Sequence, residues 1–110
     1  MYIKENHLIK NTSQQNQDLG FTFSYAYPEG TRIDREIQIE LNPAQHYSED
    51  VDTVFVILYI YSGEGKFFSQ NIEEEISKGD RLTISNISEI KILNSGETPL
   101  IFSVTFLVHT

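Results

Sequence analysis

The sequence predicts one all-β domain built as an antiparallel sandwich or barrel, and three observations carry that prediction. Aromatic and β-branched residues fall on every second position in several short runs. Turn residues separate those runs at intervals of about eight to twelve residues. No stretch sustains the apolar period of a long amphipathic helix. A chain of 110 residues suits a single hydrophobic core, so one site is expected.

Residues 1–20 read as an N-terminal arm and polar loop, with the run Asn11 to Asp18 free of apolar periodicity and Gly20 closing it. The barrel domain is expected over 21–110. Phe21, Phe23, Tyr25 and Tyr27 alternate toward the turn Pro28-Glu29-Gly30, and Ile37, Ile39 and Leu41 repeat the pattern before Pro43. Val54 to Tyr61 is apolar at every position, which requires a strand covered on both faces. Ser62 to Gly65 turns it into KFFSQNI, and NIEEEISKGD reads as a hairpin leading to Leu82 and Ile84. Ile90 and Ile92 share one face of EIKIL, Asn94 to Glu97 turns the chain, and PLIFSVTFLV supplies the last strand.

Composition excludes several classes. Sixteen Asp and Glu against eight Lys and Arg give a formal charge of −8, which repels phosphate backbones and anionic headgroups, so neither nucleic acid nor membrane is an expected partner. The absence of cysteine removes disulfides, thiolate nucleophiles and zinc-cysteine sites. Val54 to Tyr61 is far shorter than the roughly 20 residues of a membrane span. MYIKENHLIK lacks the continuous apolar core of a signal peptide, so a cytoplasmic protein is the expectation.

From about Ile37 onward the chain resembles the cupin superfamily of small antiparallel jelly-roll barrels. SGEGKF supplies the glycine that ends the family's first motif, Gly63. KGDRLTISNISEIKILN supplies the Gly79-Asp80 that opens the second and the Asn94 that ends it. The resemblance implies an all-β antiparallel jelly roll. It also implies where a metal would sit, on two histidines, a glutamate and a third histidine. Counting from the motif glycines, the glutamate position falls on Val56 and the third histidine on Ile90. The paired histidines fall on Asp50 and Asp52 under one permitted spacing, or on Glu49 and Val51 under the other. Ser85 and Ile87 replace the usual proline and glycine. Aliphatic side chains offer a metal no donor. The expectation is therefore a barrel with no metal and no cofactor.

The leading functional expectation is a small-molecule-binding or non-catalytic structural or regulatory module. Its ligand-lining candidates are Tyr25, Tyr27, Val56, Leu58 and Ile90, since aromatic and apolar surfaces form most ligand cavities. The alternative is a metal-independent isomerase, epimerase or cyclase acting on a sugar or small carbonyl compound. It would use His46, Tyr47 and Asp52, since a histidine oriented by a carboxylate can act as base near neutral pH and a tyrosine as acid. A solvated acidic loop is the competing reading of that segment. His7 and His109 stand near the chain ends and attract no role. If Val54, Val56, Leu58 and Ile60 face inward, then Phe55, Ile57, Tyr59 and Tyr61 face outward. A homodimer through that face, or cover by the N-terminal segment carrying FTFSYAY, would remove them from water.

Overall fold

The computed structural model describes residues 2–6 and 27–110; Tyr25 and the aromatic run from Phe21 lie outside them. Among the described residues there is no helix, and so none long and apolar enough to cross a membrane. The strands are β1 (Tyr2–Asn6), β2 (Thr31–Leu41), β3 (His46–Asp50), β4 (Phe55–Ser62), β5 (Glu64–Ser69), β6 (Ile72–Ser77), β7 (Asp80–Ser85), β8 (Glu89–Leu93) and β9 (Leu100–His109). They form a five-stranded sheet, β1-β7-β4-β9-β2, and a four-stranded sheet, β3-β8-β5-β6. Every ladder is antiparallel, and the pairs β2–β9, β3–β8, β4–β7 and β5–β6 nest one inside the next. This nesting of a folded ribbon is jelly-roll topology.

Two segments depart from the sequence reading. Tyr2–Asn6, expected to be an arm, pairs with β7 along its whole length. His46–Asp50, expected to be a loop rim, pairs with β8. Both are edge strands at which polar residues occupy the solvent side, so hydrophobic alternation is weak although the backbone ladder is complete.

The core explains the apolar run of β4. Val56 and Leu58 oppose Ile84 and Leu82 of β7 on one side and Phe106 and Val104 of β9 on the other, and Ile60 opposes Phe102. Phe67, Ile90 and Ile92 close the other sheet over them, and each of these side chains is 0–1% exposed. A fully buried side chain of this size stabilises the fold by about 1.5 to 3 kcal/mol. The alternate residues of β4 take the outer face: Ile57 is buried at 4% exposure, Phe55 and Tyr59 are half-buried, and Tyr61 is 47% exposed.

The two motif residues do structural work. Gly63 has φ +93, and a Cβ there would lie 2.5 Å from the Pro99 carbonyl oxygen and 2.8 Å from the Leu100 Cα, so only glycine lets the β4–β5 turn pass beneath the start of β9. Asn94 is 1% exposed. Its Nδ2 donates to the carbonyls of Leu41 and Thr98, each at 2.9 Å, while its Oδ1 accepts from Gly96 N at 2.9 Å. One side chain thus ties the end of β2 to the turn before β9.

Candidate functional site

The register of β3 decides which residues reach the barrel interior. Tyr47 opposes Ile92 and Glu49 opposes Ile90, so Tyr47, Glu49 and then Val51 turn inward. His46, Ser48, Asp50 and Asp52 are exposed. Of the two spacings for the paired positions, the inward one is therefore Glu49 and Val51. With Val56 and Ile90 they gather at the end of the barrel formed by the β3–β4 and β7–β8 loops. Val51 is 8% exposed, and Val56 and Ile90 are completely buried.

Glu49 is already engaged. The Tyr47 hydroxyl donates to Glu49 Oε1, and the Arg35 guanidinium pairs with Oε2. Arg35 lies 4.1 Å from the centroid of the Phe106 ring, and the Tyr47 ring stands 6.1 Å from that of Phe102. Burial pushes the Tyr47 phenol above its usual pKa, and the nearby Arg35 charge partly opposes that rise. This chain of contacts bridges β2, the edge of one sheet, to β3, the edge of the other. The bridge depends on a β-bulge between Ile33 and Arg35. Ile33, opposite Leu107, falls on the outer face, whereas Arg35, opposite Phe106, falls on the inner one.

No family model matches the chain, and no curated protein matches it. Solved structures do. A predicted oxalate decarboxylase from Thermotoga maritima is 24% identical, with a TM-score of 0.61 over 71% of this chain and 68% of that one. A Klebsiella pneumoniae protein with a double-stranded β-helix domain is 18% identical, with a TM-score of 0.59 over 79% and 85%. The cupin 2 domain of an XRE-family transcriptional regulator from Enterobacter cloacae is 13% identical, with a TM-score of 0.58 over 73% and 94%. The chain has the cupin fold.

The residues at the cupin metal positions do not fit a metal. Three of the four are aliphatic and packed, and the fourth, Glu49, is held by Tyr47 and Arg35. Among the described residues no group of three or more His, Cys, Asp or Glu is arranged to hold an ion. Val56, Leu58 and Ile90, candidates for lining a ligand cavity, are core residues with no exposed surface, because side chains from both sheets fill the space between them. Tyr27, 44% exposed, precedes β2 outside the barrel.

The trio His46, Tyr47 and Asp52 is not brought together. His46 pairs with Leu93 at one end of β3, and six extended residues put Asp52 about 20 Å further on. Tyr47 faces the interior while its two supposed partners face solvent. Its actual partners are Glu49 and Arg35. Arg35 stands in phase with Ile37, Ile39 and Leu41, which was the available signal that it faces inward. Asp52 instead lines the same open depression as His109, which the β2–β9 ladder places opposite Thr31.

The opposite seam of the cupin barrel, between β1 and β6, closes in a similar way. Lys4 Nζ donates to the Glu75 carbonyl at 2.7 Å and lies 3.5 Å from Glu74 Oε1 and 3.8 Å from Asp80 Oδ2. Asn6 Nδ2 donates to Asp80 Oδ1 at 2.7 Å. Nearby, the Tyr2 hydroxyl is buried without a hydrogen-bond partner. Burial first, and then the Glu74 and Asp80 charges, push its pKa up to about 12. An unfolded tyrosine ionises near 10, so between pH 10 and 12 the unfolded state loses a proton that the folded state keeps, and stability falls as pH rises. Tyr2→Phe is expected to raise stability at pH 7 by about 1 kcal/mol, because it removes a hydroxyl that has lost water and gained nothing. Melting curves from pH 9 to 12 should also fall less steeply for the variant than for the parent.

Proposed function

We propose that this protein is a non-catalytic cupin-fold module, a scaffold with a filled barrel that works through its surface. The observation that carries this reading is the set Val51, Val56 and Ile90: at the positions where a cupin holds its metal ligands, this chain has a packed aliphatic floor. Catalysis inside the barrel needs polar groups converging on an accessible space, and the inward polar groups here, Tyr47, Glu49 and Arg35, satisfy one another instead. The similar domain in a transcriptional regulator lends plausibility to a binding or regulatory role. A thermal-shift series with manganese, iron, nickel and zinc tests the reading. The melting temperature is expected to be unmoved by each, and a rise of several degrees with one of them would refute it.

The surface of the same module supports self-association. Of the exposed large hydrophobic residues described, Ile3, Ile33 and Tyr61 lie on the outer face of the five-stranded sheet, at 44%, 43% and 47% exposure. Tyr61 meets Tyr59 edge to face at a centroid distance of 4.9 Å. A two-fold dimer through this face, which also carries the half-buried Phe55 and Tyr59 and the already buried Ile57, would remove Ile3, Ile33 and Tyr61 from water. Light scattering after size exclusion is expected to give a dimer, and Tyr61→Glu a monomer.

A further inference from the structure

We propose that the loop end of the barrel carries a binding site for a neutral saccharide, placed above the aliphatic floor. The proposal rests on the non-catalytic reading and names a ligand class for it. Two adjoining depressions, of about 700 and 300 Å³, share Gln70, Ser85, Asn86 and Ile87 and so form one trough across that end.

The trough is lined by the chemistry that hydroxyl-rich rings need. Gln70, Asn71 and Asn86 supply amides, and Ser88, Asp52 and His109 supply further donors and acceptors. None of these six side chains makes a hydrogen bond within the described structure, whereas Lys4 and Asn6 at one seam and Arg35, Tyr47 and Glu49 at the other are paired. Val54, Phe55, Ile72 and Ile87 provide apolar surface for the C–H faces of a ring. Among the described residues, the ionisable groups on the lining are Asp52, His109 and the Tyr2 phenol, and the net charge of −8 disfavours phosphorylated or acidic ligands.

The backbone fixes where these side chains stand. Among the described non-glycine residues, positive φ occurs at Ala44, Gln70 and Asn86. The last two, at φ 47 and 65, carry the trough's shared amides. Both lie where the chain turns between strands, Gln70 after β5 and Asn86 after β7, and these turns place the two amides at the rim. The rim is also fixed in place. Val51 N donates to Ser88 O at 2.8 Å, Val54 N to Leu107 O at 2.9 Å, and the Ser69 hydroxyl to Glu89 O at 2.6 Å. Three separate loops are thereby locked to β8, β9 and one another, and binding has little ordering cost to meet.

The test is a backbone-amide NMR titration with maltose and cellobiose, with glucose 6-phosphate and glucuronate as charged comparisons. At least one neutral disaccharide is expected to shift residues 52–54, 70–71, 86–88 and 109, with weaker effects from the charged sugars. Asn86→Gly, which keeps the backbone conformation and removes only the amide, should weaken binding about tenfold, as expected for a lost hydrogen-bond partner, without lowering the melting temperature. No shift by either neutral disaccharide, shifts outside the rim, or unchanged affinity in Asn86→Gly overturns the saccharide site while leaving the non-catalytic reading standing. Shifts centred on Val56 and Ile90 overturn both, since they require an accessible barrel.

Discussion

Asn94→Ala is expected to destabilise the fold by about 3 to 4 kcal/mol, the sum of small net losses and a larger penalty for groups left buried without partners. The substitution removes two donations, to Leu41 O and Thr98 O, and the acceptor for Gly96 N. Asn94→Asp distinguishes this from simple loss of volume. The carboxylate keeps an acceptor for Gly96 but sets negative charge against two carbonyl oxygens at a position 1% exposed. It should be at least as damaging at pH 7, and less damaging near pH 4 where the carboxyl can hold a proton and donate. Chemical denaturation at both pH values would show the pattern. Equal losses for Ala and Asp at both pH values would mean that shape alone matters here.

The second large effect is expected at Val56→Glu, the residue type that the resemblance implies at this position. Val56 has no exposed surface and opposes Ile84 and Phe106, so the new carboxylate finds no donor. Burial of this kind raises a carboxyl pKa by about three units or more, which at neutral pH corresponds to about 4 kcal/mol of destabilisation. The melting temperature should fall by about 15 to 20 °C at pH 7. Because the folded pKa is raised, the penalty grows as pH climbs above the unfolded value and shrinks below it, so the variant should recover stability in mild acid. Divalent metals should not rescue it, since Val51 and Ile90 contribute no second or third ligand. Rescue by manganese or zinc would show a latent metal site that the packing does not reveal.

Much of the barrel was legible because its central strands obey simple rules. The unbroken apolar run of β4 marked a central strand, and the structure flanks it with β7 and β9 in the five-stranded sheet, with its inner row fully buried and its outer row buried in part. Gly63, Gly79 and Asn94 were legible as motif residues, and Asn94 turns out to matter through three hydrogen bonds that spacing could not reveal. The edges were harder to read. In β3 the inward residues include a tyrosine and a glutamate, so the period-2 signal is polar on both faces and the segment resembles a solvated loop. At Ile33 a bulge breaks the phase that runs through Ile37, Ile39 and Leu41, leaving an isoleucine exposed where alternation would bury it.

The site was legible only by subtraction. Sequence spacing located the positions from which metal ligands are missing, and one of its two permitted spacings, Glu49 and Val51, is the one that faces inward. It did not foresee that Glu49 would be claimed by Arg35 from another sheet, because that contact is a product of tertiary packing. His109 was passed over as a chain-end residue, although the final ladder pair with Thr31 anchors it at the rim beside Asp52. Residues so distant in sequence meet only through the fold, and no local pattern announces them.

Among the described residues, the barrel interior has no donor set for a metal. Elemental analysis of the protein, purified without chelators or affinity metals and then incubated with excess manganese, iron, nickel or zinc and desalted, tests it most directly. The structure predicts far less than one metal per chain for every element, with wild type and Glu49→Gln indistinguishable. One equivalent of a retained transition metal, lost in Glu49→Gln, would contradict it.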